Sequence, residues 1–263
     1  MNKDNTMNDG RHFSGAQTKG DTVYEDRQQQ LLTLLQGEGA DRVGFGDVTR
    51  LQPPSLQDLT AAVSVVVNLS DRIIDEINLA EGPTQIYFHH YRTVNTLLDS
   101  IAVKGMLQIQ RWGYAAIAIP ASQTLNESEP LFRGRFPHRM AATRAGLGWI
   151  GKNGCLITPE YGPRVRLVTI LTDMPLTVGI PIIEDHCGNC RRCAEACPAG
   201  ALAGNTNWVP GLNREFLVDA SLCSHYMKKS YQHIGRGAVC GICFRVCPWG
   251  IKDNSSAQPS HSI

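Results

Sequence analysis

Two kinds of apolar spacing alternate along the first two-thirds of the chain. Leucines at 31, 32, 34 and 35 within Tyr24–Gln36 predict a helix that ends at Gly37 or Gly39. Val94, Leu97, Leu98 and Ile101 fall at i, i+3, i+4 and i+7, which predicts a long amphipathic helix from about Tyr87 to Trp112, closed by Gly113. Around these helices lie short runs of strand character: Asp41–Val48, Ala61–Leu69, Tyr114–Pro120, Cys155–Thr158 and Arg164–Thr172. The run AAVSVVVNL at 61–69 is apolar without alternation, as in a strand buried on both faces. His138–Ala145 reads as a further helix, with Pro137 at its start.

This pattern predicts an α/β (α+β) domain over residues 23–182. Residues 183–252 are different material, dense in cysteine and punctuated by glycine and proline, and read as a separate module. Residues 1–22 and 253–263 have almost nothing to bury and are expected to be disordered tails. The whole chain has 263 residues, 42% of them hydrophobic and 19% charged, with a net charge of +1. Such a balance gives no global push toward nucleic acid or an anionic membrane. The N-terminal stretch is polar throughout, and no run of about 18 apolar residues occurs, so a cytoplasmic protein without a transmembrane segment is expected.

Nine cysteines in such a chain are not expected to form a disulfide framework. Their spacing points elsewhere. Cys187-x2-Cys190-x2-Cys193-x3-Cys197-Pro198 is a full ferredoxin-type run, in which three thiolates wrap one cubane and the fourth reaches the other. Cys240-x2-Cys243-x3-Cys247-Pro248 repeats the ending without a leading cysteine, which Cys223 can supply. Eight ligands then divide into Cys187, Cys190, Cys193 and Cys247 for one [4Fe–4S] cluster, and Cys197, Cys223, Cys240 and Cys243 for the other. Paired C-x2-C units can also build zinc sites, but zinc does not account for the same grammar twice. Cys155 is left over, in an apolar context that suits a small buried hydrophobe.

The stretch Gly146-Leu147-Gly148-Trp149-Ile150-Gly151 spells the dinucleotide fingerprint G-x-G-x-x-G. Its surroundings run helix, glycines, strand, the reverse of what a pyrophosphate turn requires. A close-approach loop is the better expectation, either against a large flat ligand or as a packing turn. No acidic residue occurs between Glu129 and Glu160, whereas Arg133, Arg135, His138, Arg139, Arg144 and Lys152 all do. So many cations around one loop would favour an anionic or electron-rich ligand.

AGLGWIGKNGCLITPEYGPRVRLVTILTDMPL, followed by CGNCRRCAEACPAGAL and CGICFRVCPWG, resembles the epoxyqueuosine reductases and the reductive dehalogenases. The likeness is dense from His138 to Lys252 and looser through FHHYRTVNTLLD at 88–99. It implies a reductase in which an external donor such as a ferredoxin or flavodoxin feeds two [4Fe–4S] clusters. These in turn would reduce a cobalamin, bound base-off without a histidine on cobalt, that acts on a C–O or C–halogen bond. The substrate, small or carried on tRNA, is left open. In that frame Gly146, Leu147, Gly148, Trp149, Ile150, Gly151, Lys152 and Asn153 would face the corrin. The resemblance also brings an aspartate as proton donor, but LFRGRFPHRMAATRA at 131–145 contains no carboxylate. His138 is then the first expected acid, and Tyr91, supported by Arg139 or Lys152, the second. The other reading is an electron-transfer protein that reduces the corrinoid of a partner.

Overall fold

The computed structural model describes residues 19–123, 132–235, 237 and 239–251. Its elements are α1 (Lys19–Gly37), β1 (Arg42–Asp47), β2 (Ala61–Asn68), α2 (Asp71–Asp75), α3 (Gln85–Arg111), β3 (Ala116–Ile119), α4 (His138–Arg144), β4 (Trp149–Ile150), β5 (Leu156–Ile157), β6 (Val165–Thr172), α5 (Arg192–Glu195), α6 (Ala220–Tyr231) and α7 (Ile242–Arg245). The polar tail expected over 1–22 is already helical from Lys19. The remainder of that expected tail and the one at 253–263 lie outside the described residues.

Four strands form one sheet in the order β1-β2-β6-β3, and β4 pairs with β5 apart from it. Every pairing is antiparallel. Alternating helices and strands ordinarily signal parallel crossovers. Here β6 enters between β2 and β3, so each neighbour runs opposite to the next.

β2 is buried from Ala62 to Val67, and its two faces serve two cores. Val63, Val65 and Val67 pack with Val94, Leu98, Ile101 and Ile109 of α3 and Leu31 and Leu35 of α1. Ala62 and Val66 face the other way, toward Ala141 and Ala142 of α4. The alternation is therefore present in space although the sequence hides it, because both faces are apolar. Each large apolar side chain so buried contributes about 1.5–3 kcal/mol. Within α3 the apolar stripe runs through Val94, Leu98 and Ile101, while Leu97 remains 39% exposed. The Thr84 hydroxyl caps this helix by accepting from the Tyr87 amide at 3.2 Å.

Beyond β6 the chain returns across the sheet, where the Gly179 amide donates to the Phe45 carbonyl at 2.8 Å and the Ile182 amide to the Thr143 carbonyl at 3.0 Å. The cysteine-rich module that follows uses short helices and turns. No helix among the described residues is long and apolar enough to cross a membrane.

A buried cation ties the module to the sheet. Arg164 is 1% exposed, and its guanidinium donates to Asp71 at 3.1 Å and to Asp75 at 2.8 Å. Asp75 also faces Arg245 of α7, 3.6 Å away. A guanidinium out of water is tolerated only while such carboxylates neutralise it. Replacing both aspartates (Asp71→Asn with Asp75→Asn) should therefore cost about 3–5 kcal/mol, read as a lower urea midpoint. The loss should shrink only in part at high salt, because the guanidinium is buried while both carboxylates reach solvent.

Candidate metal centre

The first cysteine run places its sulfurs by tight turns. The Cys190 amide donates to the Cys187 carbonyl at 3.0 Å, and the Asp185 carboxylate accepts from the Cys187 amide at 2.6 Å. Cys197 follows α5, with its amide bonded to the Ala194 carbonyl at 3.2 Å. Far along the chain, the turn after α7 brings Cys247 back to this region. One cavity is lined by Cys187, Cys190, Cys193 and Cys247 together with Pro248, Trp249, Ile157, Lys152 and Asn153. These are the four cysteines assigned to one cluster by their spacing.

The second set also converges. Burial foremost, then the nearby thiols of Cys240, Cys197 and Cys155, raises the Cys223 thiol on α6. Burial likewise raises Cys243, followed by the thiols of Cys155, Cys240 and Cys223. All eight are free thiols. Burial pushes Cys187 and Cys247 up to about 12, and Cys193, Cys223 and Cys240 up to about 11. Neutral thiols of this kind must lose their protons to become ligands, so cluster assembly releases protons. Among the described residues no three His, Cys, Asp or Glu side chains converge tightly enough for a single ion. Four thiols around a shared cavity instead fit a multi-iron cluster, which separates its ligands more widely than one ion does. Backbone amides of Lys152, and of Trp249 and Gly250, aim at the Cys187 and Cys247 sulfurs. Amides directed at thiolates are part of how a protein holds such a cluster.

The glycine stretch does not present a face to a corrin. A Cβ on Gly148 would lie 2.1 Å from the Ile157 carbonyl oxygen, and one on Gly151 2.7 Å from the Ile157 side chain. Gly146, at φ +73°, has the Ile180 carbonyl 2.7 Å from its Cβ position. The chain's own backbone thus occupies the space that the glycines leave. Leu147, Trp149, Ile150, Lys152 and Asn153 are all buried. Of the residues expected to face a corrin, Lys152 and Asn153 line the cysteine cavity instead. The packing-turn alternative accounts for this stretch, and these residues do not fit a corrin.

The cations expected around the loop also disperse. Arg133 pairs with Glu215 at 3.2 Å, Arg144 donates to the Asp47 and Thr49 carbonyls, and Lys152 donates to the Gly188 carbonyl at 2.6 Å. Arg139 reaches the Gly154 carbonyl. His138 has both ring nitrogens engaged, Nδ1 with the Thr169 hydroxyl at 2.8 Å and Nε2 with the Pro120 carbonyl at 3.0 Å. Burial draws its pKa down to about 4, so the ring is neutral and its one proton is donated to a carbonyl. This is a structural strut between α4 and β6, not a free acid.

Tyr91 has different surroundings. The Arg166 guanidinium lies over its ring at 4.2 Å, and Arg139 also senses it. The same two arginines bear on Cys155, whose thiol burial pushes up. Arg166 was missed from the sequence, although an arginine inside the apolar strand run RVRLVTILT is itself a signal. The Asn95 side chain accepts from its Nε at 2.9 Å. Lys152, expected beside Tyr91, is committed to the cysteine cavity.

Comparison with known proteins follows these lines. Residues 186–250 match the family described as a 4Fe-4S double cluster binding domain. The chain is 36% identical over 110 residues to an epoxyqueuosine reductase of Listeria monocytogenes, covering 41% of this chain and 28% of that one. It is 34% identical over 118 residues to the tetrachloroethene reductive dehalogenase of Sulfurospirillum multivorans, covering 41% of this chain and 22% of that one. The chain thus spans about a quarter of the length of these two relatives. Among solved structures, a catabolic reductive dehalogenase in complex with 3-bromo-4-hydroxybenzoic acid superposes with a TM-score of 0.67 at 22% identity, over 90% of this chain and 34% of that one. At that identity the likeness is one of fold.

The state of His138 has a measurable consequence. Its folded pKa of about 4 lies below the ordinary value of 6.5, so the unfolded chain binds more protons between them. The stability this group contributes is complete above about pH 6.5 and is lost as the pH falls toward 4. Unfolding by urea at pH 7 and pH 5 should show a smaller drop in midpoint for His138→Gln than for the parent chain.

Proposed function

We propose that this chain, which belongs to the superfamily of double-[4Fe–4S] reductases containing the epoxyqueuosine reductases and the reductive dehalogenases, is an iron–sulfur oxidoreductase. Two cubanes feed electrons into its α/β domain. The observation that carries this reading is the cavity in which Cys187, Cys190, Cys193 and Cys247 meet Lys152 and Asn153 of the glycine stretch. A cluster there abuts the α/β domain directly, so an electron entering the module has a short exit into that domain. The donor is an external carrier of the ferredoxin or flavodoxin kind.

Reduction of a C–O or C–halogen bond needs a proton as well as electrons. Tyr91 is the group that supports this role best, since its hydroxyl has no hydrogen-bond partner among the described residues. Arg166 over its ring and Arg139 nearby supply positive charge for an anionic substrate or leaving group. The tyrosine with a basic supporter is kept from the resemblance, with Arg166 replacing Lys152 as the supporter. His138 is set aside, because both of its nitrogens are occupied.

The cofactor reading divides in two. The cysteines fit two [4Fe–4S] clusters. A corrin lacks a fitting surface at residues 146–153, so the reading rests on the clusters. This same filled stretch favours the second reading, in which the chain passes electrons to a corrinoid held by a partner protein.

Anoxic reconstitution should give about eight irons per chain, four for each of two cubanes. Addition of hydroxocobalamin, followed by electron paramagnetic resonance, separates the two readings. A stoichiometric base-off cobalt(II) signal supports a corrinoid reductase, whereas reduction of an added corrinoid protein without binding of the free cofactor supports the transfer role. An iron content near one or two per chain would refute both. With a substrate in hand, Tyr91→Phe should lower turnover by about 10²–10⁴-fold and leave the cluster spectra unchanged.

A further inference from the structure

Lys152 is 4% exposed, and its ammonium donates to a single neutral partner, the Gly188 carbonyl, at 2.6 Å. No carboxylate lies within 4 Å of it among the described residues. A buried ammonium without a counter-charge carries a penalty of several kcal/mol. The structure handles its other deeply buried cation, Arg164, with two carboxylates. For Lys152 the expected anion is therefore to be sought in the space its side chain faces. That space is the cavity lined by Cys187, Cys190, Cys193 and Cys247.

A second observation points to the same place. The indole N–H of Trp149, a residue 1% exposed, is buried without a hydrogen-bond partner. It lies close enough to bias the Cys187 sulfur, yet short of a formed bond. Trp149 is held there by edge-on packing against His186 at 4.7 Å and Trp249 at 4.8 Å. An orphaned N–H and an uncompensated ammonium, three residues apart in the glycine stretch, thus face one ligand set. The one carboxylate nearby, Asp185, is already engaged by the Cys187 and Trp208 amides at 2.6 and 3.1 Å.

We propose that Lys152 is the charge partner of the cluster held by Cys187, Cys190, Cys193 and Cys247, and that it raises the reduction potential of that cluster. This rests on the iron–sulfur reading above. A [4Fe–4S]²⁺ cluster with four thiolates is doubly negative and becomes triply negative on reduction. A fixed positive charge beside it stabilises the reduced state more than the oxidised one. Lys152 acts through the cluster and not on substrate, so it is a positioning residue. Its place in the glycine stretch means that the loop which packs the α/β domain also sets how readily this cluster accepts an electron.

The test is a redox titration of the reconstituted full chain, followed by electron paramagnetic resonance, for the parent, Lys152→Gln and Lys152→Arg. Gln keeps a donor for the Gly188 carbonyl but loses the charge, and Arg keeps the charge. The signal lost in Cys223→Ala identifies the second cluster. At a fixed solution potential the ratio of reduced to oxidised first cluster should fall about tenfold in Lys152→Gln, equivalent to 59 mV for one electron. The second cluster should change far less, and Lys152→Arg should stay near the parent. Loss of the first cluster in Lys152→Gln with retention in Lys152→Arg supports the charge pairing, and the midpoint of Lys152→Arg against a neutral variant that keeps the cluster, Lys152→Met, then decides the effect on potential. Unchanged midpoints in a fully loaded Lys152→Gln protein overturn it, as does loss of the cluster in both variants. A parent chain that takes up no iron would refute the iron–sulfur reading itself, which is a different result.

Discussion

A close backbone approach between Gly148 and Ile157 is the constraint on which the rest depends. Gly148 lies so near the Ile157 carbonyl that no side chain could stand between them. This contact lets β4 and β5 pair and turns the stretch 146–153 inward. Gly146 receives the returning segment at Ile180, which delivers the chain to Cys187. Lys152 and Asn153 thereby reach the cysteine cavity. The glycines serve as a joint between the sheet domain and the module, with close packing in place of a ligand.

Charge follows from that joint. Folding drives several cations inward, and each is met differently. Arg164 has Asp71 and Asp75, so it fastens α2 to β6 and, through Asp75, to α7. Arg139 and Arg166 lie around Tyr91 and Cys155. Lys152 has a carbonyl alone. An interior with low polarisability makes these differences consequential, because an unmatched charge there costs far more than one at the surface. The three cations without carboxylates near redox-capable sulfur or phenol, Arg139, Arg166 and Lys152, are the ones with chemistry to explain.

The contrast between His138 and Tyr91 illustrates how environment decides a role. Both are titratable groups in the region of resemblance. The histidine is bonded at both nitrogens and pulled toward neutrality by burial, so it joins α4 to β6. The tyrosine keeps its hydroxyl available beside a guanidinium. Residue type put the histidine first, and only the partners of each ring distinguish the two environments.

The elements were legible because local rules govern them. Apolar runs and helical spacing located β1, β2, α3, β3, α4, β5 and β6 to within a few residues. The ligand grammar of the cysteines was equally local, since three thiolates on one turn need fixed spacing. The reading of Cys247 with Cys187, Cys190 and Cys193 was a long-range claim drawn from that grammar, and the four share one cavity. What the sequence left open was everything that depends on neighbours distant along the chain. It offered a parallel sheet as readily as an antiparallel one, because strand direction depends on β6 entering between β2 and β3. It grouped six potentially cationic residues around one loop, while the fold sends Arg133, Arg139, Arg144 and Lys152 to separate partners. It offered the glycines to a ligand or to packing without distinguishing them. Only tertiary structure fills the space above a missing Cβ, and here the chain's own carbonyls at Ile157 and Ile180 fill it.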